Sequence, residues 1–291
     1  MGQTIACANQ KGGVGKTTTV VNLASYLALA GDRVLVIDLD PQGNATSGLG
    51  LERTRDQSVY DAVIDAVSLE ELTVAGGVPN LFVVPSSIAL AGAEVELAPL
   101  EQRERRLARL VAPIAGSYDY VFIDCPPSLG LLTVNALTAA DATLIPIQCE
   151  YYALEGLGQL LATINLVRDH LNPKLALKGA VLTMYDARTN LSSQVAAEVR
   201  AHLDGRVYDT VIPRSVRLSE APSHGLPIHA YAPASKGAEA YAELAAELRA
   251  RDGRPAATTS SPADEPARGR SSRPAPSTTD RKPMAMAGAA R

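Results

Sequence analysis

A glycine-rich segment near the start of the chain has the residue types that hold phosphate groups. The segment reads Lys11-Gly12-Gly13-Val14-Gly15-Lys16-Thr17-Thr18, and it separates an apolar run from a stretch with helical spacing. Glycines allow the backbone to turn tightly and to direct its N–H groups at phosphate oxygens. Lys16 can reach the terminal phosphates of a nucleotide, and the Thr17 hydroxyl can bind Mg²⁺. We therefore predict a phosphate-binding loop at the N-terminus of a helix.

The loop departs from the standard pattern G-x-x-x-x-G-K-[ST]. Gln10 stands where the first glycine is expected, and an additional lysine, Lys11, precedes Gly12. A glycine-rich turn with incidental lysines would have the same composition. Two acidic sequences further along the chain favour the phosphate loop, because a nucleotide site needs acidic partners for its metal ion and its water.

Those acidic sequences each follow an apolar run. Residues 34–37 are followed by Asp38 and Asp40, and residues 120–123 are followed by Asp124. Acids at the carboxyl ends of strands beside a phosphate loop can hold Mg²⁺ or its water, and they can orient an attacking water. The alternative for Asp38 and Asp40 is that they only end a strand and cap the turn that follows.

Apolar runs alternate with helical stretches through the first 250 residues. Strands are expected at Thr4–Ala8, Arg33–Asp38, Leu81–Pro85, Tyr120–Asp124, Thr143–Ile147, Lys178–Met184 and Val207–Ile212. Helices are expected at Lys16–Ala30, Arg103–Ile114, Leu131–Ala139, Leu154–His170, Ser192–Leu203 and Lys236–Arg249. This alternation predicts an α/β fold with a doubly wound, mostly parallel sheet and helices on both faces. Ligands of such sheets bind at the carboxyl ends of the strands, where the loop and the acids fall.

The composition narrows the classes of protein to consider. The chain has 291 residues, of which 46% are hydrophobic and 20% charged, and its net charge is −4. This balance argues against a surface coated in basic charge but leaves room for a local basic patch. The cysteines are Cys7, Cys125 and Cys149, and their odd number and wide spacing predict neither a disulfide framework nor a zinc site. No apolar run reaches the length of about 18 residues that a membrane-spanning helix needs.

The composition changes sharply after residue 250. Residues 251–291 contain no Val, Ile, Leu, Phe or Tyr, and Pro, Ala, Ser, Thr and Arg dominate them. Such a segment cannot bury enough apolar surface to offset the entropy lost on ordering. We expect one folded domain over residues 1–250 and a disordered tail over residues 251–291.

Several motifs together resemble the deviant Walker ATPases, and among them the ParA/Soj partitioning group. The matching segments are Lys11–Thr17, Asp38–Gln42, Asp124–Pro127, Asp186–Asn190 and Ile212–Pro222. The resemblance extends over about residues 3–250, and the last two segments are more specific than the phosphate loop. It implies a ParA-type ATPase domain over residues 1–250, which hydrolyses ATP to ADP and phosphate with Mg²⁺ as cofactor.

The resemblance also implies roles for individual residues. Lys11, Lys16 and Asp40 would be catalytic, with Lys11 reaching the partner's ATP across a homodimer and Asp40 positioning the attacking water. Gly12 would let the subunits approach closely. The nucleotide would contact Lys11, Gly12, Gly13, Val14, Gly15, Lys16, Thr17, Thr18, Asp124, Pro213 and Ser215, with the last two near the adenine. Mg²⁺ would be held by Thr17, Asp40 and Asp124.

The implied partners are DNA and a second protein. Arg188 and Arg217 match the positions through which the family binds double-stranded DNA without sequence preference. The alternative for both arginines is a solvated surface or a carboxylate partner within the chain. A ParB-like centromere-binding protein would stimulate hydrolysis and release the dimer from DNA. The implied location is the cytoplasm, on the nucleoid and without stable membrane association; chromosomal and plasmid cargo both fit the sequence.

Two other functions share the phosphate loop and its acids. A MinD-like ATPase, which binds membranes and places the division site, should end in an amphipathic basic helix with bulky apolar residues, and residues 251–291 lack one. We expect the apolar face formed by Tyr241, Leu244 and Leu248 to pack in the core instead. The other alternative is a non-catalytic scaffold gated by nucleotide. The complete set of Lys16, Thr17, Asp40 and Asp124 favours turnover.

Overall fold

A sheet of eight strands forms the centre of the computed structural model, which describes residues 2–53, 57–151 and 153–254. The strands are β1 Gln3–Cys7, β2 Val34–Asp38, β3 Val74–Ala75, β4 Leu81–Val84, β5 Tyr120–Asp124, β6 Ala142–Gln148, β7 Ala176–Tyr185 and β8 Val207–Pro213. Their order across the sheet is β3-β4-β2-β5-β1-β6-β7-β8. Every pairing is parallel except that of β3 with β4. The prediction of a mostly parallel α/β sheet is confirmed.

Helices cover both faces of this sheet. They are α1 Lys16–Leu29, α2 Asn44–Gly48, α3 Val59–Asp65, α4 Leu69–Leu72, α5 Ala93–Leu97, α6 Arg106–Val111, α7 Leu131–Ala139, α8 Ala153–His170, α9 Asn190–Leu203, α10 Val216–Glu220, α11 Ile228–Tyr231 and α12 Lys236–Arg251. One hydrophobic core joins the sheet to α1, α2 and α10–α12, and the other joins its opposite face to α3–α9. This two-sided cover explains why β2 and β5 are buried along their whole lengths.

The central strands end level with one another. β5 lies between β1 and β2, and Asp124 pairs in register with Cys7 on one side and with Asp38 on the other. The two acidic motifs and the start of the phosphate loop are therefore brought to one edge of the sheet by strand register alone.

One predicted helix is shorter than expected. The segment Arg103–Ile114 begins with a 3-10 turn at Arg103–Arg105 and continues as α6, which ends at Val111. Gln102 before it has a left-handed backbone with a φ of 51°. Pro113 follows the last helical residues, and because proline has no N–H it cannot donate the next hydrogen bond of the helix. The local backbone at both ends therefore limits this helix.

The last helix packs in the core, as predicted. Tyr241, Leu244 and Leu248 are buried on the side of the sheet that carries α1. The helix ends at Arg251, and Arg254 beyond it pairs with Asp32 at 3.0 Å and with Asp119 at 2.8 Å. Residues 251–254, the first four of the expected tail, therefore belong to the folded part, and the rest of that tail, residues 255–291, lies outside the described residues. No helix within the described part is both long and apolar enough to cross a membrane.

Candidate functional site

The predicted phosphate loop lies at the carboxyl edge of the sheet, between β1 and α1. Gly13 and Gly15 have left-handed backbones, with φ values of 73° and 89°, which residues with a Cβ atom rarely adopt. A cavity of about 250 Å³, called the phosphate cavity below, opens over the loop. Its lining comprises Gly12, Gly13, Gly15, Lys16, Thr17, Thr18, Asp40, Gln42, Asn44, Pro127 and Met184. The structure therefore brings the loop and Asp40 together around one space.

Two buried polar residues tie the loop to the neighbouring strands. The Asn9 side-chain amide donates to the Pro146 carbonyl at 2.7 Å and accepts from the Lys11 N–H at 3.0 Å. The Thr183 hydroxyl, from β7, donates to the Val14 carbonyl at 2.8 Å. Sequence reasoning gave neither residue a role. Asn9 adjoins the motif and could have been considered, whereas Thr183 is separated from Val14 by 169 positions and has no local signal.

Replacing Thr183 with valine should loosen the phosphate loop. Valine has the shape of threonine but cannot donate a hydrogen bond, so the buried Val14 carbonyl would lose its partner. We expect the free energy of unfolding to fall by about 1–2 kcal/mol and ADP affinity to fall by several-fold. Urea denaturation and titration calorimetry would measure the two effects. Thr163→Val, which removes a hydroxyl bond to Gln159 on α8, is the control and should leave ADP affinity unchanged. An unaltered ADP affinity in Thr183→Val would contradict this role for Thr183.

The two lysines of the loop point to different surroundings. Lys16 is only 6% exposed, and its ammonium donates to the Lys11 carbonyl at 3.1 Å beside the phosphate cavity. The Lys11 ammonium lies 3.5 Å from the Glu150 carboxylate. Among the described residues that line the phosphate cavity, Lys11 is not included. Glu150 also accepts from Arg214 at 3.1 Å. Lys16 therefore lines the cavity over its own loop, and Lys11 lies near the surface beside Glu150.

Asp124 is a buried carboxylate without a hydrogen-bond partner among the described residues. Both of its oxygens are inaccessible to solvent and receive no hydrogen bond of ordinary geometry. Burial raises the pKa of Asp124 well above its usual range, and the neighbouring Asp38 carboxylate raises it further. The nearby Thr17 hydroxyl and Lys16 ammonium lower this pKa by less. A cation at this place would stabilise the ionised carboxylate.

The oxygen donors beside the loop suit an Mg²⁺ ion that is also bound by water and substrate phosphates. They do not form a site in which protein ligands alone hold a metal ion. Asp124 and Thr17 supply hard oxygen atoms at the mouth of the phosphate loop. Within the described ranges, no group of three or more His, Cys, Asp or Glu side chains is arranged to hold a metal ion. Mg²⁺ commonly binds through one or two protein oxygens together with water and substrate phosphates, so few protein ligands are needed.

Asp38 has a structural role. Its carboxylate accepts from the backbone N–H and the hydroxyl of Thr46, both at 2.7 Å, and from the Asp40 N–H at 3.3 Å. Burial raises the pKa of Asp38 to about 6, although these hydrogen bonds oppose the rise. The residue thus fixes α2 against the end of β2, which is the capping alternative expected for this acid.

Asp40 faces the phosphate cavity. One of its carboxylate oxygens accepts from the Gln42 N–H at 2.9 Å, and the Ser86 hydroxyl donates to its backbone carbonyl at 2.7 Å. These contacts hold Asp40 in a tight turn over the loop. A fixed carboxylate beside the phosphate position can orient a water molecule or accept its proton.

A larger and more apolar cavity of about 370 Å³ adjoins the phosphate cavity. Its walls come from α1, α2, the end of β7, the segment after β8 and α12. Apolar side chains that line it include Val21, Ile212, Pro213, Leu218, Ala221, Pro222, Leu226 and Tyr241, and Ser215 also contributes. The size and lining suit the base of a nucleotide whose phosphates lie on the loop. Pro213 and Ser215, which are predicted to lie near an adenine, both line this cavity.

Arg188 and Arg217 lie in the segments that follow the neighbouring strands β7 and β8. Their side chains are 87% and 60% exposed, respectively. Arg188 forms a two-pronged pair with Asp186, at 2.9 and 2.7 Å, and this pair lowers the pKa of Asp186 to about 2. Arg217 pairs with Glu220 at 2.8 Å. Both arginines are accessible at the carboxyl edge of the sheet, and each also has a carboxylate partner in the chain.

The chain is similar in sequence to two bacterial proteins. Its residues 2–177 match the family model described as an AAA domain. It is 59% identical over 251 residues to the sporulation initiation inhibitor protein Soj of Bacillus subtilis, which covers 86% of this chain and 99% of Soj. It is 52% identical over 253 residues to the chromosome partitioning protein ParA of Myxococcus xanthus, which covers 87% of this chain and 89% of ParA.

The fold is also similar to a solved structure. Cobyrinic acid a,c-diamide synthase from Mycobacterium smegmatis, solved with bound ADP and magnesium, matches with a TM-score of 0.76 and 41% identity. The match covers 89% of this chain and 100% of that protein. Sequence identity is therefore higher to Soj and to ParA than to this synthase.

Proposed function

Because the chain belongs to the ParA/Soj family of partitioning ATPases, we propose that it segregates DNA by cycling between ATP-bound and ADP-bound states. It takes ATP and Mg²⁺ as its cofactors. In the proposed cycle, two ATP-bound chains form a dimer that binds double-stranded DNA without sequence preference. A ParB-like partner then stimulates hydrolysis, and the ADP-bound chains separate and leave the DNA.

The two cavities provide the binding site for ATP. The base occupies the apolar cavity near Pro213 and Ser215, and the phosphates lie on the loop between Gly12 and Thr18. Lys16 contacts the terminal phosphates, and Thr17, Asp40 and Asp124 would hold Mg²⁺, directly or through water. The bound Mg²⁺ supplies positive charge against the phosphate oxygens. Asp40 orients the attacking water from its turn over the loop.

The different positions of Lys16 and Lys11 carry the dimer proposal. Lys16 lines the phosphate cavity of its own chain and can contact the nucleotide bound there. Lys11 is therefore not needed to bind that nucleotide. Lys11 is held at the surface by Glu150 and is available to a second copy. In the dimer it stabilises negative charge on the partner's phosphates.

Gly12 is consistent with a close approach between two chains. A Cβ atom added at Gly12 would make only an ordinary contact of 3.7 Å with Pro127. Packing within one chain therefore does not require glycine at position 12. A facing subunit would require glycine at position 12, because a side chain there would separate the two phosphate loops.

DNA binding follows from the dimer. The single chain has a net charge of −4, and Arg188 and Arg217 are each paired with a carboxylate. One chain alone is therefore a poor ligand for phosphates. A dimer presents both arginines twice, and the DNA backbone replaces their carboxylate partners. This makes DNA binding depend on ATP, because ATP and DNA favour the same dimeric state.

Charge reversal at Arg217 should weaken DNA binding while leaving the ATP-dependent dimer intact. Arg217→Glu removes one phosphate contact from each chain, so the salt dependence of DNA affinity should lose about two units of slope per dimer. Fluorescence anisotropy with labelled DNA at several salt concentrations would measure this. Arg168→Glu at the end of α8, on the opposite edge of the sheet, is the matched control and should bind DNA normally. Equal DNA affinity in both variants would remove Arg217 from the interface.

Sedimentation velocity combined with a phosphate-release assay tests the proposed cycle. With ADP the protein should sediment as a monomer, and with a non-hydrolysable ATP analogue and Mg²⁺ as a dimer. ATP should be hydrolysed slowly to ADP and phosphate. Binding and dimerisation without any turnover would instead support the nucleotide-gated scaffold. A monomer under every nucleotide condition would overturn the proposed role of Lys11.

A further inference from the structure

The apolar cavity and the phosphate cavity meet at a small set of residues. Those that line both are Gly15, Thr17, Thr18, Asn44 and Met184. The first three belong to the phosphate loop and the start of α1, and Asn44 begins α2. Met184, from β7, is the remaining described residue that lines both cavities. A nucleotide with its base in one cavity and its phosphates in the other must place its sugar beside this residue.

Met184 lies at an irregular point of β7. Leu182 pairs with Val211 and Tyr185 pairs with Pro213, so β7 has one more residue than β8 over this interval. The extra residue forms a β-bulge, a feature that redirects a side chain and is frequent beside active sites. Met184 has a φ of 50°, in the left-handed region that favours glycine.

The residues around Met184 are fixed in place by hydrogen bonds. The Thr183 hydroxyl donates to the Val14 carbonyl, and the Thr183 carbonyl accepts from the Cys149 N–H at 3.1 Å. The Tyr185 carbonyl accepts from the Arg214 N–H, also at 3.1 Å. Bonds on either side therefore connect the bulge to the phosphate loop, to the residue that follows β6 and to the segment that lines the apolar cavity.

We propose that the Met184 side chain contacts the nucleoside part of the bound nucleotide and sets the position of its sugar. The inference rests on the proposed nucleotide site and adds a binding residue to it. A glycine would adopt this backbone without strain, so the presence of a side chain here calls for a contact that glycine cannot make. The thioether chain of methionine is flexible and polarisable, and it suits the apolar face of a ribose or the edge of a base.

The test compares ADP with inorganic tripolyphosphate, which occupies the phosphate loop but has no nucleoside. Titration calorimetry would be performed on the full chain and on Met184→Gly, Met184→Ala and Met184→Leu. Met184→Gly should bind ADP about fivefold to tenfold more weakly, as expected for the loss of one apolar contact. Met184→Leu, which has a similar volume, should stay within about twofold of the original affinity. Tripolyphosphate affinity should be the same in all four proteins.

Thermal unfolding without nucleotide separates the contact from the fold. Met184→Gly should be at least as stable as Met184→Ala, because glycine relieves the positive φ that alanine keeps. Unchanged ADP affinity in Met184→Gly would overturn the proposal. Equal weakening of ADP and tripolyphosphate would also overturn it, because the phosphate loop itself would then be distorted. If the unsubstituted chain failed to bind ADP, the nucleotide site would fail first.

Discussion

Replacing Lys16 with alanine is expected to lower ATP affinity by at least about a hundredfold. Its ammonium is buried beside the phosphate cavity, where the hydrogen bond to the Lys11 carbonyl only partly satisfies it. ATP phosphates would replace this neutral acceptor with negatively charged oxygens in a water-poor site. Without the lysine, the phosphate charge would have only backbone N–H groups and Mg²⁺ to oppose it. ATP-dependent dimerisation and DNA binding should disappear together.

The unfolding temperature distinguishes lost binding from lost folding. Without nucleotide, Lys16→Ala should stay folded, with an unfolding temperature close to that of the original chain, because losing its attraction to Asp124 is offset by removing a buried charge that has one neutral hydrogen-bond partner. The original chain should gain stability as ATP and Mg²⁺ are added, and the variant should not. Lys174→Ala, at an exposed position between α8 and β7, is the control. A Lys16→Ala protein that still gains stability from ATP would exclude Lys16 from the site.

The second large effect is expected from Asp40→Ala, which should stop hydrolysis while preserving ATP binding. Asp40 lines the phosphate cavity but leaves the loop contacts to Lys16 and the backbone. Loss of a group that orients or deprotonates water should reduce the hydrolysis rate by about a hundredfold to a thousandfold. The ATP-bound dimer would then persist and remain on DNA.

Asp169→Ala is the matched control for Asp40→Ala. Asp169 is exposed near the end of α8, away from the carboxyl edge of the sheet, and its removal should change neither hydrolysis nor DNA retention. Phosphate release and the half-life of the DNA complex after dilution would be measured for both variants. Normal hydrolysis in Asp40→Ala would mean that a residue other than Asp40 orients the attacking water. Slow hydrolysis with rapid release from DNA would separate turnover from DNA retention.

Local sequence patterns were sufficient to predict the parallel sheet and the phosphate loop. β2 and β5 are short apolar strands that end in acids, and α1 begins directly after the loop at Lys16. Such signals are local: burial on both faces selects apolar strands, and the tight loop selects glycine. Asp38 and Asp124 lie side by side at the carboxyl edge of the sheet because β2 and β5 pair in parallel register.

The parts that were not predicted depend on contacts between distant segments. Thr183 anchors Val14 from across the sheet, and Asn22 accepts from the Ile228 N–H at 2.7 Å. Neither residue type marks a function by itself. The short helices α2 to α5 are stabilised by packing rather than by helix propensity, because segments of a few residues cannot form stable helices alone. The ion pairs of Arg188 and Arg217 are local by contrast, with partners two and three positions away, and they match the alternative of a carboxylate partner within the chain.

Co-sedimentation with DNA and, in parallel, with anionic liposomes tests the central claim most directly. The protein would be mixed with nonspecific DNA or with vesicles in the presence of ADP, of ATP, or of ATP with Asp40→Ala. We expect DNA binding that requires ATP, is strongest for Asp40→Ala and is lost at high salt. We expect no ATP-dependent binding to vesicles. ATP-dependent binding to vesicles without binding to DNA would contradict the DNA-partitioning function and support a membrane-associated division-site ATPase.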